Sequence, residues 1–126
     1  MSSTPLKLLI VDDNDLFVSA LEGFLETEAS LEVIGRAANG AVAVELAADL
    51  QPDVVLMDLS MPRVDGFEAT AMVREQAPEA AIVVLTGSND PADQARARAA
   101  GAAGYVTKDR ILGELVATIH SVTSPP

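Results

Sequence analysis

The sequence predicts an α/β fold, a doubly wound (βα)5 unit built on a five-stranded parallel sheet. Two observations predict it. Apolar runs of strand length alternate with stretches of helical periodicity five times between Leu6 and Ile119. Two of those runs, Val54-Val55-Leu56-Met57 and Ala81-Ile82-Val83-Val84-Leu85, are apolar without a break, as strands are when helices cover both faces of their sheet. At 126 residues the chain is one domain by length, large enough to bury a core unaided. Residues 1–5 and 123–126 read as tails or as the stump of a linker.

Leu6 to Val11 is the first strand, and it ends in Asp12-Asp13. From Asn14 to about Glu28, the residues Leu16, Phe17, Ala20, Leu21, Phe24 and Leu25 recur at helical spacing and give a first helix one apolar face. Leu31 to Ala38 is a second strand whose Glu32 and Arg36 suit a sheet edge. Asn39-Gly40 breaks it, and Ala43, Val44, Leu46, Ala47 and Leu50 mark a second helix that ends before Pro52. Asp53 to Asp58 is the central strand, followed by a loop over Ser60–Gly66. Phe67, Ala71, Met72 and Val73 mark a third helix stopped near Pro78. Ala81 to Thr86 is the fourth strand, with the loop Gly87-Ser88-Asn89-Asp90-Pro91 after it. Ala92 to Ala100 is a short helix with little large apolar surface, and Gly104 to Lys108 is a short fifth strand. Ile111, Leu112, Leu115, Val116 and Ile119 mark the closing helix.

Composition excludes several functions. Nineteen Asp and Glu against 8 Lys and Arg leave a net charge of −11, the wrong sign for a phosphate-backbone footprint, so direct nucleic-acid binding is not expected. With no Trp and 3% aromatics there is no stacking platform for bases. The field favours a basic partner surface or a divalent cation. Without cysteine there are no disulfides and no thiolate metal site, which fits a reducing compartment. No apolar stretch approaches the roughly 20 residues that cross a bilayer, and Met1-Ser2-Ser3-Thr4-Pro5 does not resemble a signal peptide. The expected location is the cytoplasm, with no membrane partner. Neither G-x-G-x-x-G nor a Walker lysine motif occurs.

In open sheets of this class, ligands gather beyond the carboxyl ends of the strands. The flavodoxin-like order 2-1-3-4-5 sets the first and third strands side by side at the centre, so Asp12, Asp13 and Asp58 share one pocket. Carboxylates so close repel one another unless a cation intervenes, and oxygen donors in modest number suit Mg²⁺, with Mn²⁺ able to substitute. Lys108, at the end of the fifth strand, adds a positive charge; with Mg²⁺ it balances the three acids and readies the pocket for a phosphoryl group. Thr86 ends the fourth strand and offers a hydroxyl to a phosphoryl oxygen. Each residue has an ordinary reading alone: Asp12 and Asp13 as helix caps, Lys108 as a solvated lysine, Thr86 as a strand former, Tyr105 as an edge aromatic, and Met57 and Met61 as packing. His120, the single histidine, reads as a surface or packing group remote from the acids. Convergence at four strand ends carries the chemistry.

Those residues also carry a resemblance. Asp12-Asp13 follows Leu8-Leu9-Ile10-Val11, Met57-Asp58 precedes Met61-Pro62 and Asp65-Gly66, and Leu85-Thr86-Gly87 precedes Gly101-Ala102-Ala103-Gly104-Tyr105-Val106-Thr107-Lys108. In that order and spacing, over essentially the whole chain, the sequence resembles the CheY-like receiver domain of bacterial two-component response regulators. The resemblance implies that Asp58 accepts a phosphoryl group from a phosphohistidine of a sensor histidine kinase or a histidine phosphotransfer protein. It implies Mg²⁺ held by Asp13, Asp58 and the backbone carbonyl of Ser60, with Asp12 acting through water. Lys108 would contact the phosphoryl group, Thr86 would swing toward it, and Tyr105 would rotate inward as the coupled switch aromatic. It implies a regulatory domain and not an enzyme, self-catalysed phosphotransfer and autodephosphorylation apart, and it leaves room for a homodimer formed on phosphorylation.

Asp109 stands after the lysine, where many receivers carry proline. Together with Gly-Ala-x-Gly-Tyr, this resembles receivers joined to LuxR-type DNA-binding domains, so the chain is expected to be either a stand-alone receiver or a regulator whose C-terminal output domain is missing here. Ser60 and Ser88 occupy places that tune phosphoryl lifetime in the family. Two rival readings remain. Aspartyl-phosphate phosphatases of the haloacid-dehalogenase type need a second Asp two residues past the nucleophile, where this chain has Ser60. A pseudo-receiver, binding protein without phosphorylation, is the alternative; intact Asp13, Asp58, Thr86 and Lys108 argue against it.

Overall fold

Five strands, β1 (Leu6–Val11), β2 (Leu31–Ala37), β3 (Val54–Asp58), β4 (Ala81–Thr86) and β5 (Gly104–Thr107), pair in parallel in the order β2-β1-β3-β4-β5. Five helices alternate with them: α1 (Asp15–Glu26), α2 (Gly40–Leu50), α3 (Gly66–Gln76), α4 (Pro91–Ala100) and α5 (Ile111–Thr123). This is a computed structural model describing residues 4–60 and 65–123. Met61 and Pro62, and most of both predicted tails, lie outside the described residues.

Alternation along the central strands builds two apolar layers. Leu8 and Ile10 of β1, with Val54 and Leu56 of β3, face a core completed by Val18, Leu21 and Leu25 of α1 and Leu115 and Ile119 of α5. Leu9, Val11, Val55 and Met57 point the other way, onto Ala43 and Ala47 of α2 and Ala69 and Val73 of α3. The first layer is filled with large side chains, whereas half of the buried residues of the second are alanine. β2 is the edge strand that its charged residues predict.

Several apolar residues assigned to buried faces are not buried. Leu16 and Leu112 are 85% and 83% exposed, and Ala20, Ala71 and Met72 are exposed too. The buried stripe of α1 is set by Val18, Leu21 and Leu25, which turns Leu16 outward. On α3 the buried stripe runs through Gly66, Ala69, Thr70 and Val73, which turns Ala71 and Met72 away from the sheet. The fifth strand also stops sooner than predicted: β5 ends at Thr107, and Lys108–Arg110 is a 3₁₀ turn leading into α5. Asn14 and Asp53 fall just outside the elements predicted to include them, Asn14 as the cap of α1 and Asp53 before β3.

Four helices start on a side-chain cap at the same edge of the sheet. Asn14 Oδ1 accepts from Phe17 N at 3.0 Å, Asn39 Oδ1 from Val42 N at 2.9 Å, Asp65 Oδ1 from Phe67 N at 2.9 Å and Asp90 Oδ1 from Ala92 N at 2.9 Å. Pro91 fits the first turn of α4, and Gly101 closes that helix at φ 116°, a left-handed conformation suited to glycine.

α4 buries only Ala97, against three apolar side chains each on α1 and α5. Burying one leucine is worth about 1.5–3 kcal/mol, and α4 lacks even that anchor. Its amides are therefore expected to exchange with solvent at least about tenfold faster than those of α5. Equal protection of both helices in a hydrogen-exchange experiment would contradict this.

Candidate functional site

Parallel pairing brings the ends of β1 and β3 together, with Val11 beside Met57 in register. Asp12 follows β1, its backbone N–H bonded to Ala37 O at 3.0 Å and its side chain buried. Asp12 Oδ1 accepts from Asn14 N at 2.9 Å, and Oδ2 accepts from Lys108 Nζ at 2.9 Å. Asp58, the last residue of β3, is 3% exposed. Its Oδ1 accepts from Ser60 N at 3.1 Å and lies 3.9 Å from Lys108 Nζ. Asp13 is exposed at the mouth.

One carboxyl oxygen each from Asp12, Asp13 and Asp58 lies within 4.8 Å of the others. Three acids and one lysine leave an excess of two negative charges when all are ionised, and every donor is a hard oxygen. That set fits a small divalent cation such as Mg²⁺. The strain of the arrangement shows at Asp58, where burial pushes the carboxyl above its ordinary pKa of 3.8. The Ser60 N–H pulls it down, Asp12 pushes it up, Lys108 pulls it down, and Asp13 adds a smaller upward push.

Thr86 and Tyr105 join a second set of contacts on the neighbouring strands. Leu85 pairs with Asp58, which sets Thr86 one residue further along β4, buried. Thr86 Oγ1 accepts from Ser88 N at 3.3 Å. Ser88 Oγ donates to Asp93 Oδ2 of α4 at 2.6 Å, and Ser88 O accepts from Tyr105 Oη at 2.9 Å. Ser88 is thus the joint between Thr86, Tyr105 and α4. His120 bonds Ser30 at 3.0 Å, beside the start of β2 and so at the sheet edge opposite the acids.

Three residues take roles here beyond those the sequence indicates. Phe17, expected on the apolar face of α1, also has Lys108 Nζ 4.1 Å from the centroid of its ring. Asp65 both caps α3 and pairs with Arg96 Nη2 of α4 at 3.1 Å, with the guanidinium carbon 4.1 Å from the centroid of the Phe67 ring. Gly66 is there for closeness: a Cβ on it would fall 2.6 Å from Leu59 Cα. Only the Asp-Gly pair hinted at these, through its turn chemistry. A groove of about 410 Å³ between α2 and α3, lined by Gly40, Val44, Glu68 and Met72 among others, holds none of the clustered acids.

With this geometry in view, comparison with known proteins gives a consistent result. Residues 8–120 match the family described as response regulator receiver domain. The response regulator GacA of Pseudomonas aeruginosa is 40% identical over 117 residues, 93% of this chain and 55% of GacA. A two-component response regulator of the LuxR family from Aurantimonas sp. SI85-9A1 superposes with a TM-score of 0.90 at 32% identity, covering 95% of this chain and 86% of that one. The response regulator domain of Thermotoga maritima CheB gives a TM-score of 0.88 at 25% identity, covering 98% and 100%. The chain spans about half the length of the curated relatives it matches.

Proposed function

The chain belongs to the response regulator receiver domain family, and on that premise we propose that Asp58 is its phosphoacceptor and that phosphorylation switches its output face. Receiver domains are regulatory domains that interact with histidine kinases and bind Mg²⁺ at an acidic pocket. The observation that carries the proposal is the meeting of Asp12, Asp13, Asp58 and Lys108 at the ends of adjacent strands.

The donor is a phosphohistidine on a sensor histidine kinase or a histidine phosphotransfer protein. An oxygen of Asp58 attacks phosphorus in line; the O–P bond forms as the P–N bond breaks, and the electron pair returns to the imidazole. Ser60 N–H bonds Oδ1 at 3.1 Å, which leaves Oδ2 as the less engaged oxygen for the attack. Asp13, Asp58 and the carbonyl of Ser60 would hold Mg²⁺ directly, with Asp12 acting through water. Bound there, the cation neutralises charge on the phosphoryl oxygens. Lys108 meets the same oxygens from the β5 side. Water later hydrolyses the acyl phosphate, and this self-limited chemistry is the only catalysis assigned to the domain.

The readout runs through Ser88. When the Thr86 hydroxyl turns to a phosphoryl oxygen it leaves the Ser88 N–H, and the loop that also holds the Tyr105 hydroxyl is released. Tyr105 then rotates inward and the lightly anchored α4 shifts. We assign 1–126 to one receiver domain working in the cytoplasm, with 1–5 and 124–126 as tails or linker; Thr123, read from the sequence as the start of the tail, is instead the last residue of α5. The length of the matched relatives supports a LuxR-type C-terminal output domain, which, and not this acidic chain, would contact DNA. Dimerisation on phosphorylation would follow the change on the α4–β5–α5 face.

Incubation with acetyl phosphate and Mg²⁺ tests the reading by intact mass. The expected product carries one phosphoryl group, is labile to alkali, and does not form in EDTA. No uptake, together with no Mg²⁺ binding, would overturn the proposal in favour of a protein-binding role. Mg²⁺ should also stabilise the fold: free metal at a hundredfold excess over its Kd adds about 2.7 kcal/mol, seen as a rise in Tm that EDTA reverses. Asp13→Asn is expected to remove most of that rise; a full rise in the variant would place the metal elsewhere.

A further inference from the structure

We propose that Phe17 is a positioning residue for phosphoryl uptake, its ring holding the Lys108 ammonium between Asp12 and Asp58. The inference rests on the reading of Asp58 as phosphoacceptor. It starts from a side chain that the backbone alone does not fix: lysine has four rotatable bonds and a strongly hydrated head, and the Lys108 side chain is 28% exposed. Freed from its contacts, the ammonium would spend much of its time in solvent, away from the acceptor.

Four residues close a circuit that prevents this. Asp12 Oδ1 accepts from Asn14 N at 2.9 Å. Asn14 Oδ1 accepts from Phe17 N at 3.0 Å. The Phe17 ring faces Lys108 Nζ, 4.1 Å from its centroid, and Nζ returns to Asp12 Oδ2 at 2.9 Å. The first turn of α1 is therefore registered on the same carboxylate that binds the lysine. The ring is itself held, being partly buried against the core shared by α1 and α5. Its face offers negative potential to a cation and a wall that water cannot occupy. Asp12 alone would leave the ammonium free to pivot about one oxygen. With the ring on one side and Asp58 Oδ1 at 3.9 Å on the other, it points at the place where a phosphoryl oxygen arrives.

A plain packing role for Phe17 makes a different prediction, and a double-mutant cycle separates the two. Uptake from acetyl phosphate at saturating Mg²⁺ would be timed in wild type, Phe17→Leu, Phe17→Met, Phe17→Tyr, Lys108→Gln, and Phe17→Leu combined with Lys108→Gln. Phe17→Leu and Phe17→Met, which keep apolar bulk and lose the aromatic face, are expected to slow uptake about threefold to tenfold. Phe17→Tyr, which keeps the face, should stay within about twofold of wild type. On the Lys108→Gln background Phe17→Leu should cost nothing further. Phe17→Leu and Phe17→Met as fast as wild type, Phe17→Tyr as slow as Phe17→Leu, or equal slowing with and without Lys108 would each overturn the inference while leaving the phosphoacceptor intact. A wild-type protein that takes up no phosphoryl group would instead remove the phosphoacceptor reading, and this inference with it.

Discussion

Asp58→Asn is expected to abolish phosphoryl uptake and, in metal-free buffer at neutral pH, to raise the melting temperature. The first effect follows because an amide oxygen is not a nucleophile for phosphorus here, and no other carboxylate shares the position at the end of β3. The second follows from the direction in which the fold moves this carboxyl. Burial, with Asp12 and Asp13 adding to it, outweighs the Ser60 N–H and Lys108, so the pKa of Asp58 is raised and the neutral form is favoured. A raised carboxyl contributes stability below its unfolded pKa, about 3.9, and loses that contribution as pH rises through the folded value. At pH 7 the ionised group is a net cost, and asparagine, which still accepts from Ser60 N, removes it. The gain should shrink toward pH 4 and disappear when Mg²⁺ is present, since the wild type then gains a charged ligand's worth of metal affinity. Full uptake in the variant would move the acceptor to another residue. A lower melting point in metal-free buffer would mean that the Lys108 contact outweighs the burial.

Gly66→Ala should be strongly destabilising, although it adds only one methyl group. Its Cβ would lie 2.6 Å from Leu59 Cα, 3.0 Å from Leu59 O and 3.1 Å from Asp58 O. All three are backbone atoms, so no side chain can rotate away. Either the start of α3 retreats or the chain after Asp58 is displaced, and that chain carries the Ser60 N–H bonded to the Asp58 carboxylate. Overpacking of this kind costs about 1–3 kcal/mol, a fall in Tm of roughly 4–11 °C for a chain of this size. Phosphoryl uptake should slow even at temperatures where the variant remains folded. The same change at Gly23 meets nothing within 4 Å and sits inside α1, so it should stabilise by about 0.4–1 kcal/mol. A pair of melting curves decides it, and a Gly66→Ala protein as stable as wild type would refute the close approach.

These effects depend on features that the sequence displays unevenly. The sheet was legible because strands buried on both faces must be apolar throughout, and the runs at Val54 and Ala81 have few other readings. The acids were legible for the same reason, since a charge that ends such a run stands at the carboxyl edge. Burial on single helix faces was harder. Leu16, Met72 and Leu112 look like core residues, but each lies off the stripe that its helix buries, and an apolar residue beside the stripe shows the same period as one on it. The contact of Phe17 with Lys108 joins the first helix to the turn before the last, and no local pattern encodes such a pairing. Ser88 acts largely through its backbone N–H and carbonyl, groups that every residue possesses, so its place between Thr86 and Tyr105 leaves no mark in the sequence.

The all-parallel sheet has a consequence for how so acidic a molecule receives an anion. Each helix follows its strand, so all five begin at the carboxyl edge, four of them on Asn or Asp caps. A helix start carries roughly half a positive charge from its aligned peptide dipoles, felt within about one turn. The carboxyl edge is thus the one rim of a −11 chain where the backbone itself opposes the net charge. An anion approaching this rim would meet helix starts that offset part of the repulsion from Asp12, Asp13 and Asp58, an offset the other faces of the chain do not supply.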